Sequence, residues 1–149
     1  MLAADCRVLL TIEDSDEDFA AFKWVMKKLS LSYPVFRCAD GDDAFDFLYG
    51  NGKYADRSRF PQPSVICLDL NLPGTDGREI LAQIKQDETL QKIPVVIFTT
   101  SDNPRDIELC YEYGASGYVV KPINLNNLVE SLNSFFKYWF ETVTFPEVS

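Results

Sequence analysis

Five residues of this 149-residue chain could carry chemistry together: Glu13 and Asp14 side by side, Asp69, Thr99 and Lys121. They stand at the ends of four apolar runs, Arg7–Ile12, Val65–Leu68, Val95–Phe98 and Tyr118–Val120 in turn, with Glu13 and Asp14 both after the first. If these runs are parallel strands, all five side chains lie at one edge of the sheet, where open α/β folds gather their functional groups. Three carboxylates at short range repel one another, so such a cluster needs a cation or raised pKa values. The chain has no histidine and no C-x-x-C pair, which removes a zinc site and the usual general base. An all-oxygen ligand set with room for water suits Mg²⁺. With the compact positive charge of Lys121 and the Thr99 hydroxyl beside it, such an edge can host an aspartyl phosphate. The carboxylate attacks in line, and metal and lysine neutralise the charge on the transferring oxygens. Taken singly, each residue has a blander reading: Glu13-Asp14 as acids at a helix start, Asp69 as turn chemistry before Pro73-Gly74. Their placement at four strand ends in chain order is what points to a site.

The elements that must position them follow from periodicity. The run ending at Ile12 is nearly continuous in apolar residues, as in a strand buried on both faces. Phe19, Phe22, Val25, Met26 and Leu29 then recur at helical spacing, with Ser15 as N-cap and acids in the first turn. A second run, Pro34–Ala39, precedes a short helix through Ala44, Phe45 and Leu48. Residues 50–63 contain two Gly and two Pro and read as a loop, long beside the usual connections of about 2–6 residues. Helices carrying Ile80, Leu81 and Ile84, and Ile107 to Leu109, follow the third and fourth runs, and a long helix begins near Leu125. Five βα units in sequence predict a doubly wound α/β fold, a five-stranded parallel sheet with helices on both faces. No linker, repeat or low-complexity tract interrupts it, so residues 1–149 read as one domain without an output domain.

Composition narrows the function. The net charge is −9 with no basic cluster, which argues against nucleic-acid binding. No apolar run approaches the ~20 residues that cross a bilayer. Met1–Asp5 lack the charged and apolar regions of a signal peptide, so a cytoplasmic protein is expected. Cys6, Cys38, Cys67 and Cys110 are widely spaced and read as reduced thiols.

Glu13-Asp14, Leu68-Asp69-Leu70-Asn71-Leu72-Pro73-Gly74-Thr75-Asp76-Gly77, Thr99, and Gly114-Ala115-Ser116-Gly117-Tyr118-Val119-Val120-Lys121-Pro122, in this order, resemble the receiver domains of two-component response regulators from about Arg7 to Phe136. The resemblance implies Asp69 as phosphoacceptor, with Asp14 as a direct Mg²⁺ ligand and Glu13 acting on the metal largely through water. It implies that Asn71 offers its backbone carbonyl to the metal and that Lys121 and Thr99 bond the phosphoryl oxygens. Tyr118 matches the aromatic that rotates inward on phosphorylation, and Pro122 the family's cis-proline position. Asn71 and Ser101 stand where the family tunes phosphoryl lifetime, and Thr100 replaces the small residue often found there. A phosphoacceptor of this kind takes its phosphoryl group from a histidine kinase, loses it by autodephosphorylation and signals by docking to a downstream protein.

Tyr49–Tyr54, the long loop and Leu68–Pro73 look, more narrowly, like the single-domain regulators paired with cyanobacterial phytochrome kinases. Leu125, Leu128, Val129, Leu132, Phe136 and Trp139 form one helical stripe facing a core. From about residue 137 an aromatic C-terminal extension begins. Phe135, Tyr138, Trp139, Phe140 and Phe145 supply apolar surface that either folds back over the core or, as the favoured expectation, forms the interface of a homodimer. Two other readings compete. A hydrolase of the haloacid dehalogenase type would carry its nucleophile on the first strand with a second acid two residues later, where this chain has Asn71. An unphosphorylated receiver-like module would have lost the acceptor, an acid or the lysine, and all are present.

Overall fold

Strands β1 (Leu9–Ile12) and β3 (Val65–Leu68) are buried at every residue, which is why they read as unbroken apolar runs rather than alternating ones. In this computed structural model residues 6–146 are described; Met1–Asp5, read above for a leader, lie outside them. With β2 (Val35–Cys38), β4 (Val95–Thr99) and β5 (Gly117–Val120) they form one parallel sheet in the order β2-β1-β3-β4-β5. The strand order reverses beside β1, so the crevice beyond the carboxyl ends of β1 and β3 is the topological switch point where such sheets bind ligands.

The intervening helices divide between the two faces. Helices α1 (Asp16–Lys28) and α5 (Leu125–Phe136) pack Phe22, Val25, Met26, Leu132 and Phe136 against Leu9, Val65, Cys67 and Val96. Helices α2 (Gly41–Tyr49), α3 (Gly77–Gln86) and α4 (Pro104–Glu112) cover the other face through Phe47, Leu48, Ile80, Leu81, Ile84 and Cys110. Capping fixes where the helices start: Ser15 accepts from the Asp18 amide, as its sequence position predicts, and Asp40, Asp76, Asn103 and Asn124 cap the others. All four cysteines are free, and burial pushes the Cys38 thiol up to about 12, in keeping with an inert core residue.

The 50–63 segment is more ordered than a polar loop. A 3₁₀ turn at Gly52–Tyr54 buries Tyr54, which packs with Phe60 and Phe47, and Phe36 packs on both of those rings. Arg57 donates to the carbonyls of Phe47 (2.7 Å) and Leu48 (3.3 Å) at the end of α2, where the Phe47 carbonyl also accepts from the Gly50 amide.

Two expectations are corrected. No peptide bond among the described residues is cis, so the one before Pro122 is trans, the form an X-Pro bond favours by about 0.5–1 kcal/mol. Phe140, expected on a partner surface, is buried against Tyr33 and Phe136. Beyond α5 the chain continues into a π-helical turn, Lys137–Thr142, and Phe140, four residues after Phe136, stays on the same face. Trp139 and Phe145 are half-buried and stacked on each other. Arg7 lies over the Phe145 ring and donates to the Trp139 carbonyl at 2.8 Å. Phe135 is half-buried, and Tyr138 alone of the five is largely exposed.

Candidate functional site: an acid cluster around Lys121

The site residues are set by backbone bonds that continue the sheet beyond its strands. Glu13 donates its amide to the Cys38 carbonyl (2.9 Å), Asp69 to Ile12 (3.1 Å) and Lys121 to Thr99 (2.7 Å). The three loops thereby leave the sheet at one edge. On the far side of Asp69, α3 packs so closely that a Cβ on Gly77 would stand 2.5 Å from the Asp69 carbonyl oxygen and 2.6 Å from the Leu70 Cα. Only glycine permits that approach.

Carboxylate oxygens of Glu13, Asp14 and Asp69 lie within 4.8 Å of one another. Glu13 and Asp69 are buried and Asp14 is exposed, so the cluster opens to solvent on the Asp14 side. Lys121 Nζ reaches into it, donating to Asp69 Oδ2 at 2.8 Å and to Glu13. The second oxygens are also held: Asp69 Oδ1 accepts from the Asn71 amide and Glu13 Oε2 from the Ser15 amide, both at 3.1 Å. The Thr99 hydroxyl is completely buried and near enough to Asp69 to help lower its carboxyl pKa, but it is in no hydrogen bond of normal geometry. A buried hydroxyl in that state carries a penalty that a new acceptor would relieve.

The electrostatics divide the two buried acids. Burial raises the Glu13 carboxyl above its ordinary value, and Lys121 does not fully offset it. Burial acts in the same direction on Asp69, but the Lys121 ammonium and the Asn71 amide outweigh it and hold the carboxyl below its usual range. Burial disfavours the charge on Lys121, yet its carboxylate partners Asp18, Asp69 and Glu13 keep it firmly protonated. Asp69 is therefore an ionised, pre-oriented carboxylate. The oxygen donors of Glu13, Asp14 and Asp69 are hard, few and partly open to water, a set that fits a divalent ion of the Mg²⁺ or Mn²⁺ kind.

The sequence placed Glu13, Asp14, Asp69, Thr99 and Lys121 together, and the structure does the same. Asn71 and Thr100 are exposed at the rim and Ser101 is half-buried. Tyr118 is half-buried, its ring against the α2–α4 core and its hydroxyl on the Ser101 carbonyl. Sequence reasoning missed Asp18, whose carboxylate lies 2.7 Å from Lys121 Nζ. Its one signal was its position a helical turn after Asp14, which helix-dipole preference was sufficient to explain.

Residues 9–133 match the response regulator receiver domain. The chain belongs to that family. It is 40% identical over 140 residues to response regulator Rcp1 of Synechocystis sp., covering 94% of this chain and 93% of that one. The crystal structure of the Mn²⁺-bound form of Rcp1 superposes with a TM-score of 0.83 over 94% of this chain and 99% of that one, at 40% identity. The phosphorylated cyanobacterial phytochrome response regulator RcpA gives a TM-score of 0.86 at 35% identity, over 95% and 99%. A response regulator in red light signalling of R. palustris gives 0.88 at 34%, over 94% and 98%. The chain is thus a receiver with a phosphoacceptor signalling role, and its similarity extends to phytochrome response regulators. Among the described residues no helix is long and apolar enough to cross a membrane.

Proposed function

We propose that this receiver takes a phosphoryl group from a histidine kinase onto Asp69, with Mg²⁺ held by Glu13, Asp14, Asp69 and the Asn71 backbone carbonyl. The observation that carries the reading is the Asp69 carboxylate itself: buried, ionised, 2.8 Å from Lys121, and beside a buried hydroxyl without a partner. An Asp69 oxygen bonds to phosphorus as the bond from phosphorus to the donor's imidazole nitrogen breaks, and the imidazole takes up a proton. Bound Mg²⁺ supplies charge neutralisation for the transferring oxygens. Lys121 gives an N–H to the phosphoryl group, and the Thr99 hydroxyl donates to it, ending its isolation. Thr99 lies two residues before Ser101, so its movement is felt by Tyr118 through the Ser101 carbonyl. Asn71 and Ser101, at the mouth of the site, set how quickly water removes the group in autodephosphorylation.

The kinase is a phytochrome on this reading, by likeness to Rcp1 and RcpA, and the signal passes in the cytoplasm to a protein that docks on the changed surface. We also assign a homodimer to the face around Tyr138, where exposed Tyr138 and Tyr111 flank the half-buried Phe135 and Trp139. Sedimentation of the full chain tests it, and a monomer at all concentrations removes it. Intact mass after incubation with acetyl phosphate tests the main reading. It predicts one phosphoryl adduct that requires Mg²⁺ and is lost in Asp69→Asn; an adduct indifferent to either would overturn it.

A further inference from the structure

Lys121 has three N–H donors, and all three are engaged: by Glu13, by Asp69 and by Asp18. The first two belong to the acid cluster. Asp18 belongs to the first turn of α1 and lies 103 residues away in sequence. Favourable interaction with the helix dipole explains an acid at this position but not the contact, because Asp16 and Glu17 serve the same end without touching Lys121.

The three pairs are not equal. The side chains of Lys121, Glu13 and Asp69 are 7–8% exposed, whereas that of Asp18 is 46% exposed. An ion pair open to water is screened and weak, while separating a buried one leaves an uncompensated charge. When a phosphoryl oxygen arrives, four acceptors compete for three donors, and the pair with Asp18 is the least costly to release. Asp18 is also a like charge beside the incoming anion.

We propose that Asp18 is a positioning residue for Lys121: it holds the ammonium over Asp69 while Asp69 is unmodified and releases it when a phosphoryl group occupies the site. This rests on Asp69 being the acceptor. A contact made in the unoccupied state and lost in the occupied one opposes occupancy by its own free energy. Removing the Asp18 charge therefore tightens binding of a phosphoryl mimic, by about two- to five-fold for a pair this exposed. Because Asp18 lies on α1, its release also changes the charge that the first turn of this helix presents to solvent, one turn from Asp14.

The test is titration of the full-length protein with beryllofluoride in saturating Mg²⁺, followed by ¹⁹F NMR, on the wild type, Asp18→Asn, Asp18→Glu, Glu17→Gln and Asp69→Asn. Glu17→Gln removes a charge from the same turn, and Glu17 is in no ion pair among the described residues. The expected result is two- to five-fold tighter binding in Asp18→Asn, return towards wild type in Asp18→Glu and no change in Glu17→Gln. The gain should shrink in 1 M salt, where the Debye length is about 3 Å. The Lys121 ammonium ¹H–¹⁵N signal of the free protein, sharp in wild type, should broaden in Asp18→Asn. Equal or weaker binding by Asp18→Asn, or the same gain in Glu17→Gln, overturns the role of Asp18. Failure of the wild type to bind, or binding by Asp69→Asn, instead overturns the reading beneath it.

Discussion

The Tyr118 hydroxyl donates to the Ser101 carbonyl at 2.8 Å, joining the aromatic of β5 to the loop that leads from β4 into α4. The connection continues: Ser101 Oγ donates to Asp106 at 2.7 Å, and Arg78 of α3 pairs with the same carboxylate at 2.9 Å. The loop that follows Thr99 is thus fastened at both of its exits from the site.

Tyr118→Phe removes that bond while keeping the ring. It should cost about 1 kcal/mol, the usual net worth of a hydrogen bond, and concentrate the loss in residues 100–103. Hydrogen exchange of those amides reads it; protection equal to wild type would show that the Tyr118 hydroxyl does not hold the loop.

Glu13 gives a pH dependence with a definite sign. Its native pKa lies above the ordinary 4.5, so between those values the folded state binds more protons than the unfolded chain, and stability falls as pH rises through the window. Asp69 acts oppositely: its native pKa is below the ordinary 3.8, and its contribution is lost as pH falls through that lower value. Glu13→Gln removes the first effect. Urea unfolding should find the variant more stable than wild type near neutrality, with the gain fading once wild-type Glu13 protonates; a pH-independent difference contradicts the assignment.

Gly77→Ala forces a methyl group against the backbone of Asp69 and Leu70, neither of which can swing aside as a side chain would. Overpacking of this kind costs about 1–3 kcal/mol. Denaturant unfolding should show that loss, with reduced acceptance from acetyl phosphate because the strain falls on Asp69. Wild-type stability would mean that α3 moves away freely.

The aromatic extension separates into residues that hold the fold and one that does not. Phe140→Ala empties a site beneath Tyr33 and Phe136 and should cost about 3–5 kcal/mol, whereas exposed Tyr138→Ala should fall within about 0.5 kcal/mol of wild type. Calorimetry of the two variants distinguishes them, and equal effects would refute the packing.

The sheet and the cluster were legible because each rests on a strong local signal. Fully buried parallel strands are contiguous apolar runs, and the chemistry comes from the residues that end them, Glu13-Asp14 after Ile12 and Asp69 after Leu68. What escaped depends on long-range contact. Asp18 looks like any acid of a first turn until Lys121 is found beside it. Arg57 looks like a polar loop residue until its guanidinium meets the carbonyls of α2. Phe140 was assigned outward because a helix running from Leu125 to Trp139 was expected to overhang the sheet, whereas Tyr33 and Phe136 are there to cover it.

The central claim, that Asp69 is the acceptor, is tested most directly by borohydride reduction of the protein treated with acetyl phosphate and Mg²⁺, followed by peptide mapping. Reduction converts an aspartyl phosphate to homoserine at the modified position and leaves free carboxylates unchanged. The account predicts homoserine at position 69 alone. Homoserine at another acid, or none in a protein that carries the phosphoryl adduct, would contradict it.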